Sequence, residues 1–264
     1  MKLFAPNAAI PAPYDAGGKA RNLITIADRV RVSDFLVCAS HSGGDTALPA
    51  TLARDVAAAL DEGDGVAVRS SANLEGVAAS QFSGLFRSHL AVREGALKEA
   101  ARDVLLSLNH PAVIDYCRLR GVEHKALRMS VIFQRMVVAD FSGVCVSRLG
   151  DESDDAYVEL VAGLGSGLAS GEKHPEKFTV SRTTEYGVRR CSRAQPATLD
   201  HQPVPASRDT SDPALPSGIP TGLLTALVDS VLIVEKALHS GPVEVEWACR
   251  DGEPFILQAG SFRL

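Results

Sequence analysis

The sequence predicts an α+β protein built in two lobes. Three observations carry that expectation. Helix-like and strand-like stretches alternate along the 264 residues, strand-like stretches dominate the second half, and no clean linker divides the chain. The expected division is an N-terminal lobe over 1–125 and a C-terminal lobe over 126–264.

Each element has a local reason. Gly17-Gly18-Lys19 opens a helix near the N-terminus. Segment 49–62 sets Leu52, Val56, Ala59 and Leu60 on one helical face, and Gly63 and Gly65 end it. Residues 65–72 form a short apolar, β-branched run that turns polar, as a buried strand emptying into a loop does. Helices are expected over 95–108 and 111–120, with Pro111 in the first turn of the second. Strands follow at about 126–138, 143–148, 157–162 and 177–182. Residues 183–220 break the pattern with six of the 14 prolines and many Ser, Thr and Asp, which reads as a long loop, lid or insertion. A helix returns at 221–239 on a wide stripe of Leu224, Leu227, Val228, Val231, Leu232, Val234 and Leu238.

Composition removes several function classes. With 27 Lys and Arg against 32 Asp and Glu, and a net charge of −5, the chain has no electrostatic footprint for a nucleic-acid backbone. An anionic partner is therefore expected to be small and locally bound. No apolar stretch reaches the roughly 18 to 20 residues of a membrane span, and the first 18 residues lack the apolar block of a secretory signal. The five cysteines are scattered without a CxxC pair, which predicts small buried thiols in a reducing, cytoplasmic setting.

Two segments carry candidate chemistry. In the run 243–261, Val243, Val245, Trp247 and Cys249 alternate with Glu244, Glu246 and Ala248, so one strand face is apolar and the other carries two acids. Asp251-Gly252 turns the chain into a second strand. A three-residue loop ending at Gly252 sets Gln258 on the acidic face, and a two-residue turn sets it on the other. In the first register Glu244, Glu246 and Gln258 make an oxygen-rich cluster suited to Mg²⁺; the competing reading is a solvent-facing hairpin with ordinary surface acids. The second segment, 66–86, ends a strand at Arg69 and continues into small residues that let backbone N–H groups approach an anion. Alone, Arg69 reads as a surface charge and Gly17-Gly18-Lys19 as a plain turn and cap. The glycine series at 163–171 fails the GxGxxG test in both frames, because Leu168 and Ser170 stand where the final glycine belongs.

Taken in order, five segments resemble the N-terminal nucleotide-binding domain of the phosphoenolpyruvate synthase and pyruvate phosphate dikinase family, also similar to that of rifampin phosphotransferase. They are GGKARNL at 17–23, VRSSANLEGVAASQFSG at 68–84, VIFQRMVVADFSGV at 131–144, ELVAGLGSGLASGEKHPEKFTV at 159–180 and VEVEWACRDGEPFILQA at 243–259. The resemblance implies an ATP-grasp fold with its nucleotide site between two lobes, and Mg²⁺ and ATP as cofactors. It implies that Lys19 and Arg69 hold phosphates and that the Gly84 loop covers them. Gln134, Arg135, Met136 and Val137 would contact adenine, mainly through backbone groups. Glu244 would be the ribose-side or metal-side acid, with Glu246 and Gln258 as the Mg²⁺ and triphosphate ligands.

The match has departures. The family's QARP is Gln258-Ala259-Gly260-Ser261 here, the acid of its GLGE is Ser166, and a family Arg is replaced around His110-Pro111; Arg263, Arg118 and Arg135 are candidate substitutes. No histidine lies in a Thr-x-His phosphoacceptor setting. The expected function is therefore an ATP-dependent phosphotransferase of the dikinase type, one part of a split enzyme, passing a phosphoryl group to a His on a separate swivelling-domain protein or to a small acceptor. A degenerate nucleotide-binding scaffold without turnover, and an ATP-dependent ligase or small-molecule kinase, are the alternatives.

Overall fold

The computed structural model describes residues 1–43, 46–60, 63–74, 84–149, 154–165, 174–182, 187–191, 219–220 and 222–262, with the backbone alone at 189–191. The fold is α+β, as expected, and divides into two compact units. The first comprises Met1–Val137 with Gln258–Gly260, and the second Val138–Leu257 with Ser261–Leu264.

The first unit holds an antiparallel sheet. Its strands are β1 (Lys2–Phe4), β2 (Tyr14–Asp15), β3 (Phe35–His41), β4 (Val66–Ala72), β5 (Ser88–Val92) and β6 (Met129–Arg135), in the order β1-β3-β6-β4-β5 with β2 also on β3. Because β6 pairs with both β3 and β4, it is central to this sheet, and the unit runs to Val137 rather than stopping before the strand. Helices α2 (Leu52–Leu60) and α3 (Glu94–Leu106) cover one face. Their Leu52, Val56, Leu97 and Val104 share a buried cluster with Val66, Val68, Val131 and Phe133 of β4 and β6. Helix α1 (Gly18–Ile26) packs against β4 through a buried stripe that includes Ala20, Leu23 and Ile26. Helix α4 (Pro111–Arg120) begins with Pro111 inside the first turn, as the sequence predicts; His110 Nδ1 caps it and Gly121 ends it at φ 65°.

The second unit carries β7 (Phe141–Val146), β8 (Asp155–Ala162), β9 (Glu176–Ser181) and β10 (Val188–Cys191) as an antiparallel meander. The hairpin β11 (Val243–Arg250) and β12 (Glu253–Ser261) adds to the free side of β7. Alternation in β11 is as read from the sequence: Val243, Val245 and Trp247 are fully buried. Helix α5 (Leu223–Leu238) packs on β7, β9 and β11, with Leu224, Leu227, Val228 and Val231 buried. An ion cluster reinforces it, since Glu235 Oε1 accepts from Arg182 Nη2 at 3.0 Å while Arg148 Nη2 lies 3.9 Å away.

Strands β1, β2, β3, β5 and β10 lie outside the strands expected from the sequence, β10 within the 183–220 stretch read as a loop, lid or insertion. β3 is buried along six of its seven residues, FLVCASH, so it shows no period-2 contrast. Cys38, Cys117, Cys145 and Cys249 are buried free thiols, with Cys38 and Cys145 pushed up to about 12 by burial. Among the described residues no helix is long and apolar enough to cross a membrane.

Gly143 sets the spacing of β7 and β8, because a Cβ there would stand 1.8 Å from the Glu159 carbonyl oxygen. Gly143→Ala is expected to force these strands apart and cost about 3 kcal/mol or more, read as a lowered urea midpoint with retained helical signal from the first unit.

Candidate functional site

In the first unit, the site begins with a close approach. Gly17 has φ 78°, and a Cβ on it would lie 2.1 Å from the carbonyl oxygen of Ser71 on β4, so only glycine fits. Gly17 is also the N-cap of α1 and brings no capping side chain. The cap comes from the sheet instead: the Ala20 N–H donates to Ser71 Oγ at 3.0 Å. The Asp15 carboxylate accepts from the Gly17 N–H at 2.8 Å and from Arg21 Nη1 at 2.6 Å, fixing the approach from the other side.

A buried serine seam extends this arrangement across the sheet. Ser71 faces Ser130 in the β4–β6 register, and Ser130 Oγ and Ser40 Oγ both donate to the Asp15 carbonyl, at 2.6 and 3.3 Å. All three serines are at most 5% exposed. A buried hydroxyl needs partners: Ser40 and Ser130 find them in each other and in Asp15, and Ser71 in the Ala20 N–H.

Lys19 leaves the first turn of α1 and donates from Nζ to Ser70 Oγ at 3.3 Å. Arg69 precedes that serine, where β4 pairs with Ser88 of β5 on one side and Ile132 of β6 on the other. The two cations read from the sequence as phosphate ligands are thus attached to adjacent positions of one strand. Gly84 is described, exposed, with φ 75° and open space around its α-carbon, whereas residues 75–83 lie outside the described residues.

Gln134 is 1% exposed, and among the described residues neither its Oε1 nor its Nε2 has a hydrogen-bond partner. The Arg135 N–H donates to the Asp34 carbonyl at 2.8 Å and the Met136 N–H to the Gly65 carbonyl at 3.1 Å. Both N–H groups are therefore committed within the fold. Val137 is buried directly after them. The candidate substitutes for the missing Arg are also engaged: the Arg135 guanidinium pairs with Asp34 at 2.8 Å and Arg118 with Asp115 at 3.0 Å. Arg263 and Ser166 lie outside the described residues, as does most of 183–220.

In the second unit, β11 presents its acidic face. Glu244 stands opposite Val146 and Glu246 opposite Val144. Val144 in turn faces Glu159 of β8, whose neighbour on β9 is Lys177, with Nζ 3.2 Å from Glu159 Oε1; Tyr157 Oη donates to the same oxygen at 3.1 Å. Side chains opposite one another in an antiparallel ladder share a face, so Glu246, Glu159 and Lys177 lie on one side of the sheet. Sequence reasoning missed Glu159 and Lys177; the alternation within 155–162 was their signal, but their acidic neighbour came from a distant strand. The Glu244 carboxyl is held above its ordinary range, first by burial and then by the charges of Glu246 and Glu159. Lys177 is paired with Glu159 on this face, and the hard oxygen donors of Glu244 and Glu246 fit Mg²⁺, which takes one or two carboxylates and fills its other positions with water or phosphate. Among the described residues no three His, Cys, Asp or Glu side chains gather closely enough to hold a metal by themselves.

The turn between β11 and β12 has two residues, with φ 54° at Asp251 and 78° at Gly252. The three-residue register is therefore not formed. Strict alternation would then set Gln258 opposite the acidic face, but the buried positions run Pro254, Ile256 and then Ala259, so alternation breaks before Gln258 is reached. Gln258 is half-buried and groups with the first unit, where Asn22 Nδ2 donates to the neighbouring Ala259 carbonyl at 2.9 Å. Gly260 has φ in the ordinary range and open space around it.

Residues 44–262 match the model of the pyruvate phosphate dikinase AMP/ATP-binding domain. The chain belongs to that family. It is similar to a probable phosphoenolpyruvate synthase of Methanocaldococcus jannaschii, 28% identical over 206 residues, covering 74% of this chain and 17% of the relative. It is also similar to a rifampicin phosphotransferase of Streptomyces sp., 35% identical over 145 residues, covering 52% of this chain and 16% of the relative. The chain thus spans about a sixth of the length of these curated relatives. Among solved structures, D-alanine-D-alanine ligase of Helicobacter pylori is a distant likeness, with TM-score 0.43 and 9% identity over 94% of this chain and 54% of that one.

Two outcomes follow. Ser71→Ala removes the cap on Ala20 and is expected to cost about 1 to 2 kcal/mol, measured by denaturant unfolding, with faster amide exchange in the first turn of α1. For Glu244, the raised carboxyl means that the folded state takes up a proton more readily than the unfolded chain. The burden this places on stability is present at neutral pH and disappears as pH falls below the unfolded carboxylate value. Glu244→Gln should therefore raise the melting temperature at pH 7 and leave it nearly unchanged at pH 3.5.

Proposed function

We propose that this chain binds Mg·ATP and transfers a phosphoryl group to an acceptor, either a histidine on a separate protein or a small molecule. The observation that carries the reading is the joint retention, in a member of this family, of Lys19 and Arg69 on neighbouring anchors of β4 and of the Glu244–Glu246 face on β11. Guanidinium and ammonium groups suit the triphosphate, Arg by its planar donor fork and Lys as a compact charge. Glu246, with Glu244 on the same face of β11, would hold Mg²⁺, which supplies neutralisation of charge on the phosphate oxygens. The orphaned amide of Gln134 supports a base-side role, since a buried amide without partners is satisfied by a ligand's donor and acceptor edge. Catalysis on this reading is positioning and electrostatic stabilisation, with no covalent intermediate on this chain.

A second reading, nucleotide binding without turnover, is favoured by one specific observation: Gly260 stands where the family carries a phosphate-binding Arg, and no described arginine named above is free to replace it. Calorimetry with Mg·ATP separates the readings from a chain that does not bind at all. Lys19→Met and Arg69→Met are each expected to weaken binding about tenfold or more, and Glu246→Gln to remove its Mg²⁺ dependence. Formation of ADP or AMP with a candidate acceptor supports transfer. Binding with no turnover in the native chain, restored in Gly260→Arg, establishes the second reading; the open space at Gly260 accommodates that side chain.

A further inference from the structure

Ser70 is fully buried at 1% exposure, yet it is the residue to which the Lys19 ammonium donates. Its neighbour Ser71 caps α1 from the same strand, and Gly17 permits the contact that brings helix and strand together. Consecutive strand residues project to opposite faces, so the two hydroxyls grip α1 in different ways. One holds the backbone of its first turn and the other holds the tip of its lysine. A lysine side chain carries about 2 kcal/mol of rotamer entropy, and an ammonium must forfeit that freedom to bind an anion at a fixed point.

We propose that Ser70 is a positioning residue: its hydroxyl holds the Lys19 ammonium at β4 in advance of the anion, so that affinity for a polyphosphate depends on a side chain that does not itself bind it. This rests on the nucleotide reading above for the identity of the anion, but the coupling between Ser70 and Lys19 stands on the geometry alone. The serine accepts from Lys19, so an acceptor must be retained for the device to work. Alanine at position 70 keeps the shape and loses the acceptor, whereas threonine keeps the hydroxyl.

The test is a double-mutant cycle on the full chain, with Mg·ATP and inorganic tripolyphosphate as calorimetric probes and trace acetylation of Lys19 as a ligand-free readout. Ser70→Ala is expected to weaken both probes about 5- to 10-fold, Ser70→Thr to recover most of that loss, and Ser70→Ala to add little on the Lys19→Met background. Lys19 acetylation in the unliganded chain should rise several-fold in Ser70→Ala and return in Ser70→Thr. An equal loss of affinity with and without Lys19, or an unchanged acetylation rate, would overturn the proposal and leave Ser70 a packing residue. Failure of the native chain to bind either probe would sink the nucleotide reading alone, and the acetylation rates would then decide the positioning role. Should Ser70→Ala not fold, Ser70→Cys, nearly isosteric and a much weaker acceptor, takes its place in both readouts with the same expectations.

Discussion

The contact between Gly17 and the Ser71 carbonyl is the constraint around which the first unit's functional end is arranged. At 2.1 Å for a notional Cβ, it excludes every side chain and draws the start of α1 against β4. A helix that begins in such a place cannot carry its own capping side chain, so the cap is supplied from the strand by Ser71. The remaining consequences follow in sequence. Asp15 must turn the preceding loop, Ser40 and Ser130 must satisfy the Asp15 carbonyl, and Lys19 emerges where Ser70 can receive it. Polar groups buried at a junction are expensive unless each has a partner; here they connect four strands and one helix.

The second unit solves a different problem with one strand. Strand β11 devotes Val243, Val245 and Trp247 to the core beneath α5 and leaves Glu244 and Glu246 on the other face. Core packing thereby fixes where the acids lie, because a shift of one residue would bury carboxylates and expose a tryptophan. Repulsion among Glu244, Glu246 and Glu159 is the accompanying cost, offset locally by Lys177 at Glu159.

Much of this was legible in the sequence wherever the information is local. The apolar-acidic alternation of 243–249, the strand ending near Arg69, and the proline-led helix at 111 rest on spacing, and all three elements form. What depends on partners from elsewhere in the chain was not legible. Glu159 and Lys177 acquire meaning only when β8 is laid beside β7, and Ser70 and Ser71 only when α1 is laid on β4. The hairpin shows the limit most sharply. Asp251-Gly252 is a strong two-residue turn signal, but the break in alternation before Ala259 separates the geometry of the turn from the orientation of Gln258. The N–H groups of Arg135 and Met136 likewise find their partners, Asp34 and Gly65, only in the fold.

The buried cysteines have a practical side. Thiolate is the reactive form of cysteine, and burial keeps Cys38 and Cys145 with pKa values of about 12, with Cys117 and Cys249 also raised. At neutral pH these four side chains are slow toward maleimides and iodoacetamides for two separate reasons, protonation and lack of access. A single cysteine introduced on an exposed position such as Arg120 would outcompete them, so fluorophores or spin labels can be attached there without first removing these native thiols.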